Sequence, residues 1–397
     1  MAESNERRHA PDMQRQFLRI CVMCLLAAGL AVAAEPAHAE GDPGAAVAAD
    51  YQAKLAHYLQ VRRSYDEQAG VYWDAVVEKR RARNAKRRSN EPIGLADYVL
   101  TQPPVYSGPP QPINPAGPGL EPSKPEIPVV ADFLKAAAEQ FGFVPNRPQN
   151  DIDFKRAYAK VAAAAGLTRD QVVGVYAFET GGSGTYDMQA GLSPSRPGSR
   201  AISPAVGYNQ LLSTNSVSLL AEQGNRLLAT LRQRAKALNG DAKPAMERKI
   251  EAIKRMIAFT RTVPNNWNEF DKLAKTTPGG IGIHAVVLDR DIGPLLQVQK
   301  LLNSVRFARA KHYDAPLTAA ELELMNLTGD GNGLDMVMMP AALRARVPTA
   351  NFFQQSGYER NPVARRTGVV AGLLADIEGK MNRASQSPGA KDLAAAF

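Results

Sequence analysis

The stretch "TRDQVVGVYAFETGG" (168–182) decides how this chain folds. Thr168 and Gln171 stand at the spacing of a capping box, which predicts that a helix opens there. An apolar run follows, and Gly181 and Gly182 supply a place for the chain to turn. Glu179 is the odd residue. Acidic side chains usually sit near a helix N-terminus or on its wet face. This one comes late, directly behind Val175, Tyr176 and Phe178. Either it caps or pairs with something as a structural group, or a pocket needs a carboxyl there.

Outward from this helix the pattern is helix after helix. Residues 131–143 and 151–167 show the three-four apolar spacing of amphipathic helices. Residues 203–238 predict one long helix or two joined, and 243–263, 291–312 and 361–381 predict more. Few stretches alternate as strands do, and no internal repeat stands out. The expectation is a mostly α-helical domain over 129–382, followed by a flexible tail at 383–397. Residues 40–101 form a basic region ahead of it, helical from Gly44 to about Arg88.

The chain of 397 residues is long enough for one large or two ordinary domains, and 45% hydrophobic with 22% charged residues is an ordinary globular composition. The first 39 residues read as a signal peptide: "MQRQFLR" from Met13 is basic, "ICVMCLLAAGLAVAA" is an apolar core, and "AHA" offers small residues before a cut after Ala39. A retained anchor is the alternative, although the apolar run is short for a membrane span. Cys21 and Cys24 both lie inside this leader, so the mature chain has neither disulfide nor thiol chemistry. A periplasmic location is expected. The leader holds four Arg and four acidic residues, so the net charge of +9 survives its removal. A basic exported protein has anionic wall polymers, lipopolysaccharide or membrane surface within reach, and export argues against nucleic acid.

Seven of the twelve residues in "EKRRARNAKRRS" (78–89) are basic. They read as a solvated helix end; contact of the basic stretch 79–88 with an acidic wall or membrane surface is the functional alternative. Tyr72 and Trp73 just before it are expected to pack. Residues 102–128 hold ten prolines in 27 residues, which excludes helix and central strand. That segment is a linker between two parts or a strap along one.

Two motifs resemble a known family. "FETGG" (178–182) is similar to the Glu-Ser-x-Gly turn, and "AVGYNQLLSTN" (205–215) to the Gly-x-x-Gln element, of the lytic transglycosylases and goose-type lysozymes. The likeness spans roughly residues 150–365. It departs in three places. Thr180 replaces the usual serine. Tyr208 and Asn209 stand where Leu-Met is common, and Gln210 follows Glu179 by 31 residues, a long interval. The family's Ala-Tyr-Asn motif has only a partial match in "ELMNLTGDGNG" (323–333), which offers Asn326 without the tyrosine.

The resemblance implies a lysozyme-like helical domain of the lytic transglycosylase type that cleaves peptidoglycan glycan strands in the cell wall without a cofactor. Glu179 would be the catalytic acid and then base, and Thr180, Tyr208, Gln210 and Asn326 would contact sugar. A solvated Glu, with pKa about 4.3, holds few protons near neutrality; apolar backing raises that value. Hydrolases add a second carboxylate. Asp187, eight residues past Glu179, is the candidate, with an Asx-type turn as its ordinary reading. A hydrolytic muramidase, or a weakly active glycan-binding or secretion-assembly protein, is the alternative function. No metal site is expected: His284 and His312 are isolated, and "GDGNGLD" (329–335) lacks the ligand spacing of a calcium loop and reads as a plain glycine turn.

Overall fold

Thr168 and Gln171 cap each other as their spacing predicts. In the computed structural model, which describes residues 43–115, 117, 126–193, 196 and 198–397, the Gln171 amide N–H donates to Thr168 Oγ1 at 3.2 Å and the Thr168 N–H to Gln171 Oε1 at 2.9 Å. The helix so opened, α4, ends at Gly181, whose φ of 66° is left-handed. Val172, Val173, Val175, Tyr176, Ala177 and Phe178 are all buried, so α4 is the interior helix of the molecule. The expected leader (1–39) lies outside the described residues.

The helices in chain order are α1 (Pro43–Arg88), α2 (Val130–Phe141), α3 (Asp151–Ala164), α4 (Arg169–Thr180), α5 (Ser213–Lys236), α6 (Ala242–Thr260), α7 (Trp267–Thr276) and α8 (Pro278–Ile283). They continue as α9 (Gly293–Ala310), α10 (Ala319–Thr328), α11 (Asp330–Val337), α12 (Ala341–Arg344), α13 (Gln355–Arg360), α14 (Pro362–Thr367), α15 (Val370–Ala384) and α16 (Pro388–Ala395). Among the described residues there is no strand, only isolated bridges such as Gln189 with Val206 and Val206 with Leu211. The fold is mostly α. Helices α3, α10, α15 and α16 surround α4, and α9 packs on both α3 and α10. One cluster of buried side chains runs from Ala69 on α1 to Leu393 on α16.

Several expectations are corrected. The helix read over 203–238 starts only at Ser213, because Gly207 (φ 85°) and Gln210 (φ 41°) hold the preceding turn in left-handed conformations that no helix accepts. Residues 361–381 split at Gly368, again at positive φ, into α14 and α15. "GDGNGLD" is not a plain turn, since α11 begins right after Gly329.

The tail at 383–397 is not free either. Residues 388–395 form α16, which buries Ala390 and Leu393, and the Ala390 N–H donates to Gly182 O at 2.9 Å. Gly182 has φ 74°, and a Cβ there would collide with the Ala384 carbonyl, so the turn after Glu179 needs this glycine twice over.

The basic run is mainly an internal clasp rather than a solvated helix end. Arg80 donates to Asn351 O and Phe353 O, and Arg83 to Asp97 O and Asn351 O. Lys86 pairs with Asp97, and Arg87 with Asp335, each at 2.7 Å. The helix needs these cations to satisfy carbonyls and carboxylates of the chain packed beside it. Arg81 and Arg88 stay exposed. Tyr72 and Trp73 pack as expected, Trp73 edge-on to Tyr358. The described part of the proline-rich segment lies along α1: the Tyr106 ring meets Tyr58 and Tyr65, and Gln102 donates to Gly368 O.

Candidate active site

Glu179 sits in the last turn of α4, with the buried rings of Tyr176 and Phe178 beside it in sequence. Desolvation is the largest influence on its carboxyl and raises its pKa above the ordinary value. The charges of Lys300 and Lys380 and a hydrogen bond from Asn326 act in the opposite direction. The carboxyl also stands at the negative end of the helix dipole, which disfavours its charged form further. Burial at the end of α4 thus strengthens this acid's hold on its proton.

Asn326, on α10, donates from Nδ2 to Glu179 Oε1 at 2.7 Å. The two residues share the wall of a cleft of about 740 Å³ with Gln210, Lys300, Glu222 and Trp267. Gln210 lies in the tight turn before α5. Its amide nitrogen donates to Gly207 O at 2.8 Å and Met188 O at 3.3 Å, which leaves the side-chain oxygen for a ligand's donor. The turn itself is pinned from beneath. Asn209 accepts from Tyr158 Oη and donates to Gln297 O, while Lys300 Nζ donates to Asn209 O at 2.9 Å. The Gly-x-x-Gln element is therefore held rigidly at the cleft.

The structure brings Glu179, Gln210 and Asn326 together, and places the other three sequence-predicted residues elsewhere. Thr180 is buried; its hydroxyl donates to Tyr176 O at 2.7 Å and finishes the helix. Tyr208 is completely buried, its hydroxyl donating to Asp151 at 2.8 Å and its ring packed edge-on against Tyr158 and Tyr176. It is a core residue that a sugar cannot reach. Asp187 pairs with Arg147 and accepts from Thr185 Oγ1 at 2.8 Å, and it does not line the cleft. Each of the three is taken up by a partner of its own, Tyr176 O, Asp151 or Arg147, and spacing alone does not reveal such partners.

Sequence reasoning missed Glu323, Glu222 and Trp267. Glu323 lies one helical turn before Asn326 and is fully buried. Glu222 lines the cleft from α5, and burial raises its pKa. Trp267, about half exposed at 49%, opens α7 beside Asn265 and Asn266 on the cleft wall. A large aromatic ring left partly exposed in a polar cleft suits the flat face of a sugar. "NNWNEF" carried a signal for it, one of only two tryptophans placed among amide residues.

His284 belongs to the scaffold. It is buried, with Nδ1 2.8 Å from Ser216 Oγ and Nε2 3.0 Å from Pro204 O. Burial lowers its pKa to about 4, so the ring is neutral and donates from Nε2. Among the described residues no group of three or more His, Cys, Asp or Glu side chains is arranged to hold a metal ion. A larger cavity of about 1020 Å³ lies between the end of α1 and α9–α11, and meets the cleft at Gly329 and Asp330. The acid–amide pair belongs to the smaller one.

No protein-family model, curated protein or solved structure matches the chain.

Proposed function

We propose that this protein is a peptidoglycan lytic transglycosylase with a lysozyme-like helical domain, acting on glycan strands in the periplasm after export. The observation that carries the reading is the buried-backed Glu179 carboxyl held by the Asn326 amide in a polar cleft that also presents Gln210. The order of "FETGG" and "AVGYNQ" supports it, the first closing α4 and the second forming the turn that leads into α5.

The chemistry follows from one proton. Glu179, protonated, gives its proton to the glycosidic oxygen as the bond from C1 of N-acetylmuramic acid breaks. The sugar's own acetamido group stabilises the cation at C1, the substrate-assisted variant of glycoside cleavage. Glu179, now ionised, takes the proton of the same sugar's 6-hydroxyl as that oxygen bonds to C1. A 1,6-anhydro ring forms, no water is consumed and the acid is regenerated. The ionised intermediate form is the one that the Asn326 donor, Lys300 and Lys380 favour.

Hydrolysis by a muramidase is the second reading, and Glu222 is the observation that favours it: it puts another carboxyl on the cleft wall. The test is digestion of purified cell wall with mass analysis of the fragments. Anhydro ends are expected, with activity falling about 10²–10⁴-fold in Glu179→Gln while the fold holds. Reducing ends that disappear in Glu222→Gln would establish the hydrolase. Absence of soluble fragments would leave a glycan-binding or secretion-assembly protein.

A further inference from the structure

Glu323 has no part in that scheme, yet it lies against the centre of it. It stands on α10, which packs on α4, α9, α11 and α15, and it is completely buried. Its two carboxyl oxygens are 3.4 and 3.5 Å from Asn326 Nδ2, the same nitrogen that donates to Glu179 at 2.7 Å. One amide group therefore stands between two carboxyls.

Two desolvated carboxyls on one donor cannot both ionise cheaply. The charged groups that bear on Glu323 are Glu179 from α4, Lys300 from α9 and Lys380 from α15. From α11, Asp330 is occupied with Ser304 Oγ. Neither ammonium forms a direct ion pair with either carboxyl, and each acts on them by its charge alone: Lys300 donates to Asn209 O, and Lys380 lies over the Phe178 ring at 3.7 Å. Desolvation is the largest influence on both carboxyls and raises each of them, and their mutual repulsion adds to it.

We propose that Glu323 is a positioning residue of the site, a buried acid that is joined to Glu179 through the Asn326 amide and shares its proton with it. When the pair loses its first proton, the remaining one divides between the two carboxyls, and repulsion resists loss of the second. The acid form of Glu179 thereby persists to higher pH than a lone carboxyl in the same place would allow. The inference rests on the acid role of Glu179, but its test does not need glycan cleavage.

The experiment is a ¹³C NMR titration of glutamate side-chain carboxyls in the full-length protein, with the Glu179 signal identified by its loss in Glu179→Gln. In the wild type, Glu179 is expected to titrate in two steps. In Glu323→Gln, which keeps the shape and a permanently neutral group, it is expected to titrate in one, with its midpoint lower by about one pH unit or more. The alkaline limb of wall cleavage should move to lower pH in parallel. A wild-type curve with one step, or a curve unchanged by Glu323→Gln, overturns the proposal. If Glu323→Gln does not fold, the wild-type curve decides by itself. If the titration behaves as expected but the protein releases no wall fragments, proton sharing stands and the glycan reading falls.

Discussion

The Asn326 side-chain amide donates to Glu179 Oε1 at 2.7 Å, although 147 residues of chain separate the two. The donor reaches the carboxyl because α10 lies directly against α4; where Gly174 of α4 faces Ala319 of α10, a Cβ would come within 2.5 Å of the Ala319 Cβ. This contact sets both the orientation of the acid and the ease with which it ionises.

Asn326→Ala removes a donor that favours the ionised form of Glu179. The Glu179 pKa should therefore rise further, and the alkaline limb of wall cleavage should move to higher pH. The maximal rate should fall because the carboxyl is no longer held in place. A pH–rate profile of the variant checks both directions; a limb displaced to lower pH would contradict the assignment.

Trp267→Ala should weaken substrate binding with little effect on the chemical step, since the ring lies on the cleft wall and carries no proton. The expected loss is about 0.5–1.5 kcal/mol, seen as a raised KM at nearly constant kcat. A fall in kcat alone would show that the ring acts on the reacting bond instead.

His284 gives stability a pH dependence of known sign. Its folded pKa is lowered to about 4 from an unfolded value of 6.5. The neutral ring's contribution is complete above pH 6.5 and is lost as pH falls from there towards 4, to a total of about 3 kcal/mol. Denaturant unfolding across that window should show the slope in the wild type and a shallower one in His284→Gln. That variant should also be less stable at pH 7, because Ser216 Oγ and Pro204 O lose their partner. Equal slopes in the two proteins would show that His284 titrates normally.

Deletion of residues 386–397 should destabilise the fold by at least about 2 kcal/mol, the order for exposing a buried Leu and its neighbours. It should also reduce activity more than stability predicts, because the Ala390 N–H and Ser387 Oγ hold the carbonyls of Gly182 and Gly181 just past Glu179. Thermal melts beside wall digestion at a temperature where both proteins are folded separate the two effects. Full activity in the truncated protein would reduce α16 to packing alone.

Local chemistry made α4 legible: a reciprocal cap, an apolar run and a glycine stop are all written within fifteen consecutive residues. The helix α4 and the misplaced acid at its end follow from that stretch by itself, while the helical class and the length of α1 were legible from the patterning of their own segments. The turn before α5 was not legible, because its left-handed Gln210 is maintained by Tyr158, Gln297 and Lys300, which lie far away in sequence.

The same distance explains the site residues. Tyr208 looked like a sugar contact because an aromatic beside an amide suits one, yet its hydroxyl already had a partner in Asp151. The basic run looked solvated because its acceptors, the Asn351 and Phe353 carbonyls, are more than 260 residues away. Glu323 gave no signal, since a carboxyl on a helix is unremarkable until packing removes its water and sets another carboxyl against it. The sequence determined the helical class of the chain and where one acid is out of place. Only the tertiary structure decided which side chains are dehydrated and which partners reach them, because burial and long-range hydrogen bonds are properties of packed helices rather than of any one of them.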